Sequence, residues 1–167
     1  MEKWKGVMPA IVTPFTADDD LDEKAFRHIM EFNILAGVHG FWVAGGTGES
    51  VMLSEAENMR LAEISVEQAA GRVLIIHHVG AVTTAGAVRQ AKAAAKAGVD
   101  AVCCVPPFFY KPSVNALVAH YQAIGVASGG LPMFIYNLPQ CTGTEITPGL
   151  MKKIKENVPS CMGLKRE

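Results

Sequence analysis

The final stretch of the sequence, residues 160–165 (SCMGLK), places a lysine where covalent chemistry is possible. The stretch is short and apolar and follows Pro159, which is typical of a buried strand. At the end of such a strand the ammonium of Lys165 is partly desolvated. Desolvation lowers the pKa of a lysine and frees its amine to attack a carbonyl carbon. A lysine that ends the strand and extends to water is the alternative interpretation.

Two other apolar runs are also followed by residues that can take part in chemistry. Residues 45–50 (GGTGES) form a glycine-rich loop ahead of a predicted helix, and the backbone N–H groups of such a loop can bind an anion. Taken alone, a loop of this kind is more often a simple turn. Tyr136 lies near the end of the run 132–137, where a phenol can transfer protons or can pack as a structural aromatic.

These residues belong to a repeating pattern of strand and helix. The apolar runs return at intervals of roughly 30 residues, the length of one strand–helix unit. We predict about six strands, at residues 7–12, 40–44, 73–80, 100–105, 132–137 and 160–165. Helices are predicted to begin near Asp22, Ser54, Thr83 or Thr84, Ser113 and Thr147.

Continuous apolar strands covered by helices indicate an α/β fold with a parallel sheet. The unusual residues lie in the strand-to-helix loops, whereas the helix-to-strand connections are plain glycine turns. That asymmetry favours a (β/α)8 TIM barrel, in which the chemistry lies at the carboxyl ends of the strands. An open doubly wound sheet is the alternative.

The number of units predicts the domain organisation. A closed barrel has eight strands, and about six units leave two unpaired strand edges and an uncovered apolar interior. We therefore expect residues 1–167 to form a single, incomplete (β/α) barrel domain that is part of a longer chain and is inactive alone. The alternative is a natural half-barrel completed by a partner.

Composition excludes several classes of partner. Half of the residues are hydrophobic and the net charge is −1, whereas a nucleic-acid or acidic-membrane partner requires a basic surplus. No apolar run approaches a membrane span in length, and the first residues are unlike a signal peptide. The four cysteines have no metal-binding or redox spacing, and His77 and His78 point to opposite faces of a strand. We expect no metal and a reduced, cytoplasmic compartment.

Three motifs occur in order and at matching positions: GGTGES at 45–50, YNLP at 136–139 and GLK at 163–165. Together they resemble the dihydrodipicolinate synthase / N-acetylneuraminate lyase family of class I Schiff-base aldolases. The resemblance extends over the whole chain and covers about the first six of the family's eight strand–helix units.

The resemblance implies a role for each matching residue. Lys165 matches the lysine that forms a Schiff base with the ketone of pyruvate or another 2-oxo acid, and Tyr136 matches the tyrosine that shuttles protons. Gly46 and Thr47 match the positions that hold the 2-oxo acid's carboxylate. It further implies 2-oxo acid and aldehyde substrates, no cofactor, and a homo-oligomer, dimer or tetramer, when complete.

The chain departs from the family pattern at three positions. Gly46 replaces a threonine or serine whose hydroxyl belongs to the proton relay. Phe109 matches the tyrosine that reaches across the dimer interface in the synthases, with Tyr110 next to it as a substitute one residue away. Cys141 replaces the arginine with which the synthases bind the second substrate's carboxylate, so a bidentate clamp is lost.

The replacement of the arginine by Cys141 favours the sugar acid branch of the family over the synthases. An apolar residue at that position, together with residues 77–81 (HHVGA), is more similar to sialic acid lyases and other keto-deoxy sugar acid aldolases than to the synthases. The hydroxyls of Thr142 and Thr144 could then meet a sugar chain. Two alternatives stay open: a sugar-acid dehydratase that uses the same imine, and a non-catalytic or truncated family member.

Overall fold

A computed structural model describes residues 2–166 of the chain. The strands are β1 (Gly40–Val43), β2 (Leu74–His78), β3 (Ala101–Cys104), β4 (Met133–Asn137) and β5 (Cys161–Arg166). The helices are α1 (Glu23–Leu35), α2 (Glu55–Ala69), α3 (Thr84–Ala97), α4 (Val114–Ala127), α5 (Pro139–Thr142) and α6 (Pro148–Asn157). In the sheet the strands follow the order of the chain, β1-β2-β3-β4-β5. The chain divides into an N-terminal unit, residues 2–78 with 97–100, and a C-terminal unit, residues 79–96 with 101–166.

The N-terminal unit packs α1 and α2 with the parallel pair β1 and β2. The two strands pair with Phe41 opposite Ile75 and with Val43 opposite His77. Helix α2 begins with the predicted capping box, in which Glu57 N donates to the Ser54 hydroxyl and Ser54 N donates to the Glu57 carboxylate. The two helices are joined by a bidentate ion pair, because Arg60 Nε and Nη2 lie 2.7 and 2.8 Å from the two carboxylate oxygens of Glu23.

The predicted strand at residues 7–12 forms only one isolated parallel bridge, between Ala10 and Trp42. Trp42 N donates to Pro9 O and Ile11 N donates to Trp42 O, as in a parallel ladder. The ladder is short because Pro9 has no N–H to donate and Pro14 ends the extended segment. The prediction of a full first strand is therefore wrong, although the segment does lie beside β1.

The C-terminal unit contains the parallel strands β3, β4 and β5. Cys103 lies opposite Phe134, and Tyr136 lies opposite Lys165, with a register shift between Met133 and Phe134. The predicted helix starts are capped as expected: Gly86, Ala116 and Leu150 donate backbone hydrogen bonds to the hydroxyls of Thr83, Ser113 and Thr147. The short helix α5, which begins with Pro139 and ends at Gly143 (φ 67°), was not predicted, since four residues show no helical periodicity.

Two buried histidines each form hydrogen bonds within their own unit. His77 Nε2 lies 3.0 Å from Asn58 Oδ1, and the amide of Asn58 donates to His78 O. His120 Nδ1 lies 2.9 Å from the Thr84 hydroxyl, and its Nε2 lies 3.6 Å from Cys104 Sγ. Burial, with a smaller contribution from His78, lowers the pKa of His77 to about 3. Burial lowers the pKa of His120 to about 4.

These histidines are expected to make the protein less stable as the pH falls from 7 to 5. Their folded pKa values lie below that of an unfolded histidine, about 6.5, so the unfolded chain binds more protons in this range. The free energy of unfolding should fall by up to ~1.4 kcal/mol per pH unit for each histidine that titrates fully. Urea unfolding at pH 7, 6 and 5 measures the slope.

The control compares His120→Gln, which removes one of the two titrations, with replacement of the exposed His28 by glutamine. The first variant should show a shallower dependence on pH, and the second should keep the slope of the wild type. A wild-type stability that does not change between pH 7 and 5 would contradict the assignment.

Candidate active site

Lys165 and Tyr136 lie in direct contact. Strands β4 and β5 run parallel with these two residues opposite one another, so their side chains leave the same face of the sheet. Lys165 Nζ lies 3.7 Å from the centroid of the Tyr136 ring, which is cation–π geometry. Tyr136 is 1% exposed, whereas Lys165 is half-buried. The side-chain nitrogen of a lysine therefore lies against a buried phenol at the carboxyl ends of two neighbouring strands.

Phe134 and Gly163 lie on the same face of β4 and β5, two residues before Tyr136 and Lys165 respectively. They are opposite one another, and a Cβ built on Gly163 would meet ring atoms of Phe134 at 3.9 and 4.0 Å, which is ordinary van der Waals contact. Cys103 of β3 lies opposite Phe134 on the other side. The aliphatic part of Lys165 is thus not crowded by a side chain two residues earlier on its own strand.

Asn137 fixes the loop that follows β4. Its side-chain oxygen accepts a hydrogen bond from Ile146 N at 2.9 Å, which ties residues 138–146 to the end of the strand. The Thr142 hydroxyl is within hydrogen-bond distance of Leu138 O and Thr144 O, at 3.1 and 3.2 Å. Thr142 and Thr144 are both buried. The suggestion that Thr142 offers its hydroxyl to a substrate is therefore not supported, because that hydroxyl already bonds within the loop.

The glycine-rich loop lies in the N-terminal unit between β1 and α2. Backbone hydrogen bonds from Glu49 N to Gly46 O and from Ser50 N to Gly45 O hold it as a series of turns. Gly48 is buried, and a Cβ there would lie 3.0 Å from Ala44 Cα, so the tight packing at this position favours glycine. The Thr13 hydroxyl donates to Gly48 O at 2.8 Å.

Gly46 and Thr47 are two of the three exposed residues of this loop, with Glu49 as the third. Within residues 2–166, the backbone N–H groups of Gly46 and Thr47 donate no hydrogen bond, so both are available to a ligand. The loop can therefore offer two amides and the Thr47 hydroxyl to a carboxylate.

Phe109 and Tyr110 lie in the loop that follows β3. They are 84% and 78% exposed, and their rings meet edge to face with centroids 5.0 Å apart. Phe109 has φ 77°, a left-handed conformation that is costly for an aromatic residue. The loop thus presents two large aromatic rings away from the core.

The structure therefore pairs Lys165 with Tyr136 and places Gly46 and Thr47 in an open loop of the other unit. Convergence of all these residues at one site stays a prediction. Sequence reasoning missed Asn137 as the anchor of the β4 loop and Phe134 as the neighbour of Gly163, because both depend on strand register.

Among the described residues, no group of three or more histidine, cysteine or acidic side chains could hold a metal ion. No helix in residues 2–166 combines the length and hydropathy needed to cross a membrane.

A half-buried lysine against a buried tyrosine at the end of parallel strands is the kind of site found in Schiff-base enzymes. Comparison with known proteins specifies the class. Residues 3–167 match the Dihydrodipicolinate synthetase family, and the chain belongs to that family.

Individual relatives agree with this assignment. The N-acetylneuraminate lyase of Citrobacter koseri is 43% identical over 143 residues, which cover 86% of this chain and 48% of that protein. The Ruminococcus gnavus sialic acid aldolase catalytic lysine mutant matches with a TM-score of 0.96 at 27% identity, over 100% of this chain and 54% of that one. YagE, a prophage protein of the dihydrodipicolinic acid synthase family from E. coli K12 in complex with pyruvate, matches with a TM-score of 0.93 at 27% identity, over 98% of this chain and 54% of that one.

These matches confirm the predicted family and the TIM-barrel type of α/β fold. The chain spans about half the length of the relatives it matches.

Proposed function

We propose that the full-length protein containing this sequence is a class I aldolase or lyase that forms a Schiff base between Lys165 and pyruvate or a related 2-oxo acid. The observation that carries the proposal is the contact between Lys165 Nζ and Tyr136, at 3.7 Å from the ring centroid. Membership of the family supports it, since relatives named N-acetylneuraminate lyase are up to 43% identical. The similar structure of the R. gnavus sialic acid aldolase is that of a catalytic lysine mutant, which supports a lysine-dependent reaction.

The proposed reaction proceeds through an iminium ion. The Lys165 amine attacks the ketone carbon, a carbon–nitrogen bond forms, and the ketone oxygen leaves as water. The positively charged iminium accepts the electron pair of the bond between the α and β carbons. When the hydroxyl on the β carbon loses its proton, that bond breaks to give an enamine and an aldehyde, and the reverse step forms it. The Tyr136 hydroxyl moves the proton that accompanies each of these steps.

The glycine-rich loop is proposed to hold the carboxylate of the 2-oxo acid. Gly46 and Thr47 are exposed, and their amides are available. A carboxylate needs such donors when it leaves water. The pyruvate complex of YagE supports a 2-oxo acid as the ligand of this fold.

The proposal also covers how the barrel is completed and how complete chains associate. Its relatives are about twice as long, so we propose that further strand–helix units complete the barrel and that residues 1–167 alone are inactive. The exposed rings of Phe109 and Tyr110 support association of complete chains into a dimer or tetramer. The free, mostly buried cysteines are compatible with a reducing, cytoplasmic compartment.

Reductive trapping tests the proposal. The full-length protein is incubated with pyruvate and borohydride, digested, and analysed by mass spectrometry. We expect the reduced pyruvate adduct on the peptide that contains Lys165, and none when pyruvate is replaced by lactate, which has no ketone. A protein that gains no adduct at saturating pyruvate is a non-catalytic family member.

The acceptor is predicted to be sugar-derived or neutral rather than an amino-acid semialdehyde. Cys141, which is exposed on α5, replaces the arginine of the synthases and offers no positive charge to a second carboxylate. A carboxylate that loses water without a compensating cation carries a desolvation cost. We expect kcat/KM for a sugar aldehyde to exceed that for aspartate semialdehyde by about tenfold or more, a difference of ~1.4 kcal/mol.

The measurement compares both acceptors with pyruvate saturating. Replacement of Cys141 by arginine should narrow or reverse the preference, and Cys141→Ser is the neutral control. If aspartate semialdehyde is the better acceptor by tenfold in the wild type, another cation serves the site and the interpretation of Cys141 is wrong.

A further inference from the structure

We propose that Thr13 is a positioning residue for the glycine-rich loop at residues 45–50 and holds this loop in the conformation that binds the carboxylate of the 2-oxo acid. The inference rests on the proposed function, in which Gly46 and Thr47 bind that carboxylate. In this role Thr13 acts on the backbone of the loop and not on the substrate.

Thr13 lies on a segment that is fixed beside the sheet. Two residues earlier, Ile11 N donates to Trp42 O at 3.1 Å, and Trp42 N donates to Pro9 O at 2.9 Å, so the segment pairs with β1. The loop packs on this segment, since a Cβ built on Gly48 would lie 3.1 Å from Ile11 O. Thr13 is half-buried, so its hydroxyl is held between the paired segment and the loop.

The peptide bond between Gly48 and Glu49 is held at both of its polar ends. Its oxygen, on Gly48, accepts a hydrogen bond from the Thr13 hydroxyl at 2.8 Å, and its N–H, on Glu49, donates to Gly46 O at 3.1 Å. The second of these bonds closes a turn over residues 46–49 in which Thr47 is a central residue. The orientation of this one peptide therefore sets the course of the turn that carries the two available amides.

The backbone of Glu49 is strained in this conformation. Its φ is 55°, in the left-handed region that costs free energy for any residue except glycine. Rotation of the preceding peptide by about 180° would bring this φ to about −125°, which a glutamate adopts without strain. The same rotation turns the Gly48 oxygen away from Thr13 and the Glu49 N–H away from Gly46. The strain thus favours a flipped loop, and the Thr13 hydrogen bond opposes the flip.

Loss of the Thr13 hydroxyl is expected to weaken binding of the 2-oxo acid. Gly48 is buried, so its oxygen is left without a donor if the loop keeps its present conformation. Part of the protein then adopts the flipped loop, in which the turn that presents the amides is open. The apparent affinity falls in proportion to the fraction that keeps the binding conformation, whereas the chemistry at Lys165 is unchanged in molecules that have bound substrate.

Titration of the full-length protein with pyruvate tests this role. The fraction of protein trapped by borohydride is measured at each pyruvate concentration and gives a half-saturating concentration and a maximum. Thr13→Val is expected to raise the half-saturating concentration by at least about threefold and to keep the maximum. Thr13→Ser keeps the hydroxyl and should stay within about twofold of the wild type.

Thr16→Val is the matched control. Thr16 is exposed on the same segment, and its hydroxyl accepts hydrogen bonds from Asp18 N and Asp20 N, both at 3.3 Å, within its own turn. This variant should titrate like the wild type. Thermal unfolding identifies a variant that does not fold, and Thr13→Ala takes the place of the valine variant in that case.

Glu49→Gly tests the strain. Glycine adopts a φ of 55° without cost, so this variant alone should bind pyruvate no more weakly than the wild type. Combined with Thr13→Val, it should lower the half-saturating concentration of the valine variant by about twofold or more, because the flipped loop is no longer favoured.

The proposal is overturned if Thr13→Val raises the half-saturating concentration by less than the expected amount, or if Thr13→Ser or Thr16→Val is as weak as Thr13→Val. It is also overturned if Thr13→Val lowers the maximum instead, or if Glu49→Gly does not improve the valine variant. A wild-type protein that gains no adduct at saturating pyruvate would instead contradict the proposed function.

Discussion

Replacement of Lys165 by alanine is expected to abolish trapping of pyruvate in the full-length protein and to reduce turnover to background. The lysine supplies the nitrogen of the covalent bond, and alanine has no group that can replace it. The expected loss is therefore complete, unlike that of a residue that only assists a step. Borohydride trapping followed by mass spectrometry measures the adduct, and pyruvate release or consumption measures the turnover.

Two further variants define the cause of the loss. Lys165→Arg keeps a positive charge that can lie over the Tyr136 ring but provides no amine that condenses with a ketone, so it should also fail to trap. Lys152→Ala removes an exposed lysine of α6, whose side chain is 79% exposed, and should trap pyruvate like the wild type. An adduct that persists in Lys165→Ala would place the Schiff base on another lysine.

Helix starts and individual strands could be predicted because the residues that indicate them lie close together in the sequence. The Ser54 and Glu57 pair defined the start of α2, and the hydroxyls of Ser113 and Thr147 defined the starts of α4 and α6. The β-branched and apolar run around Ile75 and Ile76 predicted β2. Each of these signals depends on residues within one turn or one strand, so no tertiary information was required.

Features that depend on pairing between distant segments could not be predicted with the same detail. Residues 7–12 have the composition of a strand, but only Ala10 pairs with a neighbour. The contact between Tyr136 and Lys165 depends on the register of β4 and β5, which shifts between Met133 and Phe134. Register is set by tertiary packing rather than by composition.

The same limit applies to the candidate site. The motifs predicted candidate residues for the chemistry, but not that the Lys165 nitrogen lies 3.7 Å from the centroid of the Tyr136 ring. They also could not show that Thr142 uses its hydroxyl within its own loop. Whether Gly46 and Thr47 meet the lysine–tyrosine pair stays a prediction that rests on the family resemblance.

Replacement of Tyr136 by phenylalanine is expected to preserve trapping of pyruvate and to slow turnover by roughly 10²–10⁴. The covalent bond is formed by Lys165, and the phenylalanine ring still lies beneath its nitrogen. The steps that break or form the carbon–carbon bond require proton transfer, and the variant lacks the hydroxyl proposed to carry it. Turnover is measured with a saturating sugar acid substrate and compared with the fraction of protein trapped by borohydride.

Gly46 offers a matched test of the same proton pathway. This chain lacks the hydroxyl that the family usually places there, and a serine at this position does not replace the phenol of Tyr136, so Gly46→Ser should not restore turnover to Tyr136→Phe. Turnover of the phenylalanine variant at the wild-type rate, with trapping intact, would remove Tyr136 from proton transfer. The iminium would then exchange its protons with water or with a residue of the remaining strand–helix units.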